Sequence, residues 1–264
     1  MWANNETGVL SPVEEVAAIC RSKGVLFHTD AVQAPGKVKI DVQSLGVDFL
    51  SLSAHKFHAP KGIGLLYVRR RTKFQPYVIG GHQEKDRRGG TENVPYIIGM
   101  GRASELAMEH LDDETTRVRA LRDRLENAIL TGIPNTSRNG AKDARLPNTS
   151  NIAFNGVEAE AILMMLDQLG VCASSGSACT TGSVEPSHVL VAMGLDPARA
   201  LGAVRFSLGG DNTDEDVDYL LEHLPRIIAK LRDLSPAAAE HPDQRQNPTL
   251  PGKPPGPSGR VLGP

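Results

Sequence analysis

Aromatic residues make up only 4% of this 264-residue chain, too few for the stacked platforms on which proteins hold unpaired bases. An excess of charge of one sign is also missing. The formal net charge is −2, so no strongly basic surface invites a phosphate backbone, and nucleic acid is not an expected partner. No apolar run approaches the roughly 20 residues of a membrane-spanning helix, and the opening Met1-Trp2-Ala3-Asn4-Asn5-Glu6 lacks the basic and apolar regions of a secretory leader. A membrane is not expected either. The three cysteines, Cys20, Cys172 and Cys179, are an odd number without C-x-x-C spacing; neither a disulfide scaffold nor a zinc knuckle follows from them. A working thiol needs a reducing compartment, and the cytoplasm fits.

What is present is an alternation of strand and helix. Ser11-Pro12-Val13-Glu14 reads as an N-cap, a first-turn proline and an early acid, opening a helix that Gly24 closes. Val25 to His28 reads as a buried strand ending at Asp30, and Val47 to Ser53 as a second. Pro60 to Val68 gives a turn and a third. This order predicts an α/β fold with a mostly parallel sheet, whose ligands lie beyond the C-terminal strand ends, where Asp30 and Lys56 fall. From about Val94 to Leu130 the pattern is helical, with Leu121, Leu125 and Ile129 on one stripe. Leu146 to Phe154 reads as a strand, Asn155 to Leu169 as a helix capped by Asn155, Ala203 to Leu208 as a strand, and Thr213 to Leu234 as a last helix. The second half has the makeup of a smaller α+β domain. The expected division is 1–113, 114–235 and a tail, 236–264, which holds eight of the 18 prolines and has the composition of a disordered segment.

Two short stretches carry chemistry. Ser53-Ala54-His55-Lys56 sets an amine directly after an apolar strand. A lysine in a loop is ordinarily a solvated charge, but at the end of a core strand it can be partly desolvated, which frees the amine to attack a carbonyl. The second stretch, from Ser174 to Cys179, sets a thiol among serines and glycine. A lone cysteine is ordinarily a small buried hydrophobe. Cys179 has only Ala178 as an apolar neighbour, whereas Cys20 and Cys172 lie in apolar sequence and read as structural. A carbonyl-trapping lysine with a mobile sulfur nucleophile is what an enzyme that moves sulfur on pyridoxal 5'-phosphate needs. The scattered His82 and His188 do not suggest a metal site.

Further stretches carry a resemblance. Asn4-Asn5-Glu6-Thr7-Gly8, His28 to Gln33, Ser53 to Lys56, Gly80 to Glu84, Gly90 to Asn93, the 174–183 loop and Arg205 to Gly209 recur in the order they have in cysteine desulfurases, across nearly all of residues 1–234. Gly81 to Glu84 and Cys179 to His188 are most similar to the NifS type, associated with nitrogenase cluster assembly. The resemblance implies fold type I of the pyridoxal-phosphate transferases: the C-terminal part of its mostly parallel large domain, then a smaller α+β domain. It implies conversion of L-cysteine to L-alanine, with the sulfur held as a persulfide on Cys179 for an iron–sulfur scaffold or another acceptor protein. Lys56 would hold the cofactor covalently and move the Cα proton. Asp30 would pair with the pyridine nitrogen and Gln33 with the phenolic oxygen, while Ser53 and His55 would bind the phosphate. Asn5 would contact the cofactor and the substrate carboxylate, and Arg205 would grip that carboxylate as a fork. Thr91 would reach the phosphate site of the other subunit of a homodimer, and Cys179 could serve as an iron–sulfur ligand shared with a scaffold.

In the family, a portion of about one domain, roughly 150 residues, precedes the stretch matching Asn4 and supplies a phosphate loop and a histidine stacked on the ring. The chain is therefore expected to be N-terminally truncated relative to the family. An inactive homologue without those elements, and a selenocysteine lyase-like enzyme, are the other readings left open.

Overall fold

The computed structural model describes residues 1–175 and 185–234; the expected tail at 236–264 lies outside them. Helix α1, Val13–Ser22, buries Val13 and Ala17 on one face and carries Glu14 and Glu15 in its first turn and Arg21 in its last, each sign opposing the helix dipole. Ser11 does not cap it. Pro12 takes that position, and the Ser11 amide is spent on the Trp2 carbonyl at 2.8 Å. Gly24, at φ +65°, ends the helix as expected.

Strand β1 is shorter than its apolar run suggests, spanning only His28–Asp30. Its neighbour β2, Phe49–Ser53, pairs parallel with it from His28 opposite Phe49. Val25 and Leu26 therefore have no partner in β2, and they stay 56% and 59% exposed. Between the strands lies α2, Val42–Leu45, capped by Asp41 and stopped by Gly46 in the left-handed region. A single 3-10 turn, Ala54–Phe57, follows β2, and β3, Gly64–Val68, returns antiparallel beside it. The sheet order is β1-β2-β3, so the described sheet is mixed, with one parallel and one antiparallel pair. Trp2, Val13, Ala17, Ala31, Ala34, Leu45, Val47 and Leu50 form the core against it.

An exposed stretch with the short α3, Gln83–Asp86, leads to α4, Val94–Glu109, whose N-terminus Asn93 caps through the Tyr96 amide. Next come α5, Leu111–Asp113, a π-helical turn, Glu114–Val118, and α6, Arg119–Gly132. The expected stripe of Leu121, Leu125 and Ile129 is buried.

The second sheet is antiparallel throughout: β4, Thr136–Arg138, β5, Thr149–Phe154, and, last in the chain, β6, Ala203–Ser207, in the order β4-β5-β6. Helix α7, Ala159–Asp167, starts at Glu158 and not at Asn155, because Asn155 lies in a turn with Gly156 at φ +81°. The short α8, His188–Ala192, and α9, Pro197–Leu201, precede β6, and α10, Asp214–Leu234, closes the described chain. Helices α6, α7 and α10 pack their apolar stripes over Ile152, Phe154, Val204 and Phe206 of the sheet.

Residues 2–11 join the two sheets. The Trp2 amide donates to Asp30 at 2.7 Å on the first. On the other side the Leu10 amide donates to Ala144, the Leu146 amide donates to Gly8, and Val9 bridges Arg145.

Candidate active site

The C-terminal ends of β1 and β2 lie side by side, and that register sets the first group of polar residues. Asp30 pairs with Ser51 across the two strands, so Asp30 and the residues after Ser53 emerge on one rim. One Asp30 carboxylate oxygen accepts from the Val32 amide at 2.9 Å, a bond of the turn type; the other makes no hydrogen bond among the described residues. Gln33 is half-buried three residues on. Ser53 Oγ and His55 Nδ1 are 2.9 Å apart.

Lys56 sits in the turn after β2 and is exposed, not partly desolvated as its strand-end position suggested. The cause is the turn itself. Ala54 and Phe57 are buried against Met100 and Ala103 of α4, which swings His55 and Lys56 outward. Burying a phenylalanine stabilises by roughly 1.5–3 kcal/mol, so the outward pose of Lys56 is fixed by its neighbours. A second amine lies within electrostatic reach. Burial pushes the Lys37 ammonium below its ordinary pKa, Glu114 pulls it back, and Lys56 pushes it further down.

The second group forms where residues 4–7 meet the other sheet. Arg205, on β6, is half-buried and donates from Nη1 to the Asn5 carbonyl at 2.7 Å. Its Nε is buried and has no partner among the described residues. Ser174 pairs with Arg205 through both backbone bonds, at 2.6 and 3.2 Å. The buried Glu6 accepts from Ser187 Oγ at 2.5 Å, and its carbonyl accepts from Asn151 Nδ2 at 3.1 Å. Ser174 and Ser187 flank the Cys179 stretch; Cys179 itself lies outside the described residues.

The strand pairing sets Asp30, Ser53, His55 and Lys56 at one rim, with Gln33 three residues beyond Asp30, and the segment that starts at this sheet carries Asn5 to Arg205 on the other. Thr91 is not drawn in. It is exposed on the stretch before α4 and shares no hydrogen bond with the rim among the described residues. Cys172, read as structural, is exposed, while Cys20 is half-buried; the apolar sequence before Cys172 ends at a surface turn. Sequence reasoning missed Lys37 and the hydrogen bond between Glu6 and Ser187. Only the Asn4-to-Gly8 motif hinted at Glu6.

The donor set is an amine, a carboxylate, an amide, a hydroxyl and an imidazole at one strand end, and a guanidinium against Asn5 whose Nε is buried with no partner among the described residues. It suits a phosphorylated pyridine aldehyde such as pyridoxal 5'-phosphate, with an amino acid carboxylate on the arginine. No helix among the described residues is long and apolar enough to cross a membrane.

The chain is similar to known proteins. The chain is 58% identical to a cysteine desulfurase of Gluconacetobacter diazotrophicus over 89% of its length and 54% identical to cysteine desulfurase NifS of Azotobacter vinelandii over the same share. It spans 59% of the length of each. Among solved structures, a NifS-like protein superposes with a TM-score of 0.79 at 38% identity, covering 88% of this chain and 60% of that one. A NifS-like protein of Rickettsia africae gives 0.78 at 35%, covering 86% and 60%. The family Aminotransferase class-V matches residues 1–220, a span that holds both sheets and every site residue placed above, and the chain belongs to that family.

Proposed function

We propose that the chain acts as a cysteine desulfurase, taking L-cysteine to L-alanine and holding the sulfur as a persulfide on Cys179. The observation that carries the reading is the placement of Asp30, Ser53, His55 and Lys56 at one strand rim, together with an Arg205 whose Nε is buried and has no partner among the described residues. The 58% identity to a named cysteine desulfurase supports it. Pyridoxal 5'-phosphate, the cofactor of this family, supplies when bound an electron-accepting ring that stabilises negative charge at the substrate Cα.

Each residue then has a task. The Lys56 amine would hold the cofactor through its aldehyde and would then move the Cα proton of the substrate. Asp30 would keep a proton on the ring nitrogen, and Gln33 would donate to the ring oxygen. Ser53 and His55 orient each other and bind the phosphate. Asn5 and Arg205 grip the substrate carboxylate, the arginine through its fork of donors. The Cys179 thiolate attacks the substrate sulfur. The carbon–sulfur bond breaks, its electron pair goes to Cβ, and protonation there completes L-alanine. The acceptor of the sulfur is an iron–sulfur scaffold or a comparable thiol protein, nitrogenase cluster assembly being the NifS-type case, and a cluster could be shared through Cys179.

We place the unit that holds the cofactor at residues 1–113 and the unit that carries Cys179 at 114–235. A homodimer in which Thr91 serves the partner's phosphate site, in a reducing cytoplasm, completes the proposal. The test is the visible spectrum of the purified chain with added cofactor. Lys56→Ala should abolish the cofactor band. Cys179→Ser should keep the band and lose sulfide release from L-cysteine; a Cys179→Ser variant that still desulfurates cysteine would overturn the assignment of the nucleophile.

A further inference from the structure

We propose that Ser187 is a positioning residue for the substrate-carboxylate site: its hydroxyl holds the Glu6 carboxylate, one residue from the Asn5 carbonyl that Arg205 grips, so that this carboxylate does not close on the guanidinium. The inference rests on the reading of Arg205 as the substrate-carboxylate site. Burial lowers the pKa of Arg205, and Glu6 is the acid whose charge opposes that effect. No ion pair joins the two among the described residues. The Glu6 carboxylate points elsewhere, accepting from Ser187 Oγ at 2.5 Å. That hydroxyl is itself held, because Ser187 caps α8 by accepting from the Leu190 amide at 3.3 Å. The Glu6 backbone is fixed as well. Its amide donates to Asn4 Oδ1 at 2.9 Å, and its carbonyl accepts from Asn151 Nδ2 at 3.1 Å.

Arg205 is held from the other side. Its Nη1 is used on the Asn5 carbonyl, its backbone pairs with Ser174, and its Nε is buried with no partner among the described residues. A carboxylate free to swing in this enclosure would close a salt bridge with Arg205 and compete with the carboxylate of the substrate. Tied to Ser187, Glu6 leaves the fork open. Ser187 thus sets affinity for an amino acid carboxylate without touching it.

The test uses the 264-residue chain and L-alanine, which binds through the same carboxylate and has no sulfur to lose. The readout is the Arg205 Nε–H resonance in proton–nitrogen spectra, assigned with Arg205→Lys. Ser187→Ala should weaken L-alanine binding about three- to tenfold, the scale of one released charge competing at short range. Ser187→Thr, which keeps the hydroxyl, should restore it. Glu6→Gln should tighten binding, because a negative charge beside the site is gone, and the Ser187→Ala/Glu6→Gln double variant should behave as Glu6→Gln alone. A purely structural role predicts losses in both single variants that sum in the double, and that outcome overturns the inference, as does Ser187→Ala binding like the parent. No response of Arg205 to L-alanine in the parent chain overturns the carboxylate-site reading and this inference with it.

Discussion

The buried carboxylate of Glu126 accepts from Arg145 at 2.5 and 2.6 Å, from Ser150 Oγ at 2.6 Å and from Arg138 at 3.0 Å. Burial alone would raise its pKa; the hydrogen bonds and the arginine charges outweigh burial and bring it to about 2, against an ordinary 4.5. The folded value lies below the unfolded one, so this contribution to stability is complete above about pH 4.5. It is lost as the pH falls from there through about 2. Glu126→Gln should therefore flatten the loss of melting temperature over that acid window, measured by thermal melts at stepped pH. Arg145→Ala leaves a buried carboxylate short of its main partner and should cost about 3–5 kcal/mol at pH 7, read from the urea midpoint. None of this was legible in the sequence. Arg138, Arg145 and Ser150 stand 12, 19 and 24 residues from Glu126 and meet it only through the pairing of β4 with β5. The place of Lys56, by contrast, was legible, because its signal is local: an apolar strand, a short turn and an amine; its exposure was not, because the packing of Phe57 on Met100 and Ala103 lies far along the chain.

At the scale of elements, the turn after β2 and the entry to β6 do the positioning. Phe57→Ala removes the anchor that swings Lys56 outward and should cost about 3–5 kcal/mol if the site does not collapse. Its functional signature would be weaker binding of pyridoxal phosphate in a spectral titration, although none of the cofactor's donors has been changed. Gly202 stands where a Cβ would meet the Phe154 and Val157 carbonyls at 2.4 and 2.6 Å, and its own carbonyl accepts from the Phe154 amide. Backbone cannot give way as a side chain can, so Gly202→Ala should lower the melting temperature, with a cost of about 1–3 kcal/mol. The helices and most strands could be read from periodicity and caps. Two misreadings have sound local patterns: Val25 has no strand partner among the described residues, and at Asn155 a turn through Gly156 intervenes before the helix.

For the whole molecule, the segment from Trp2 to Ser11 is the tie between the two sheets. The α/β class followed from strand–helix order alone, but this tie did not, since its partners lie far along the chain. Gly140 packs against it: at φ +96°, an added Cβ would meet Val9 Cγ2 at 2.7 Å and Thr7 Cβ at 3.2 Å. Gly140→Ala should loosen residues 4–10 selectively, seen as faster amide hydrogen exchange there while β5 stays protected. The tie also has a consequence in time. Asn5 and Arg205 stand 200 residues apart in sequence, and ribosomes add roughly 5–20 residues per second. During synthesis the Asn5 carbonyl therefore waits about 10–40 s before the guanidinium that claims it has even been made. Trp2 can meet Asp30 long before that. The first sheet can be in place early, whereas Glu6, Asn5 and Arg205 can come together only after β6 has been made.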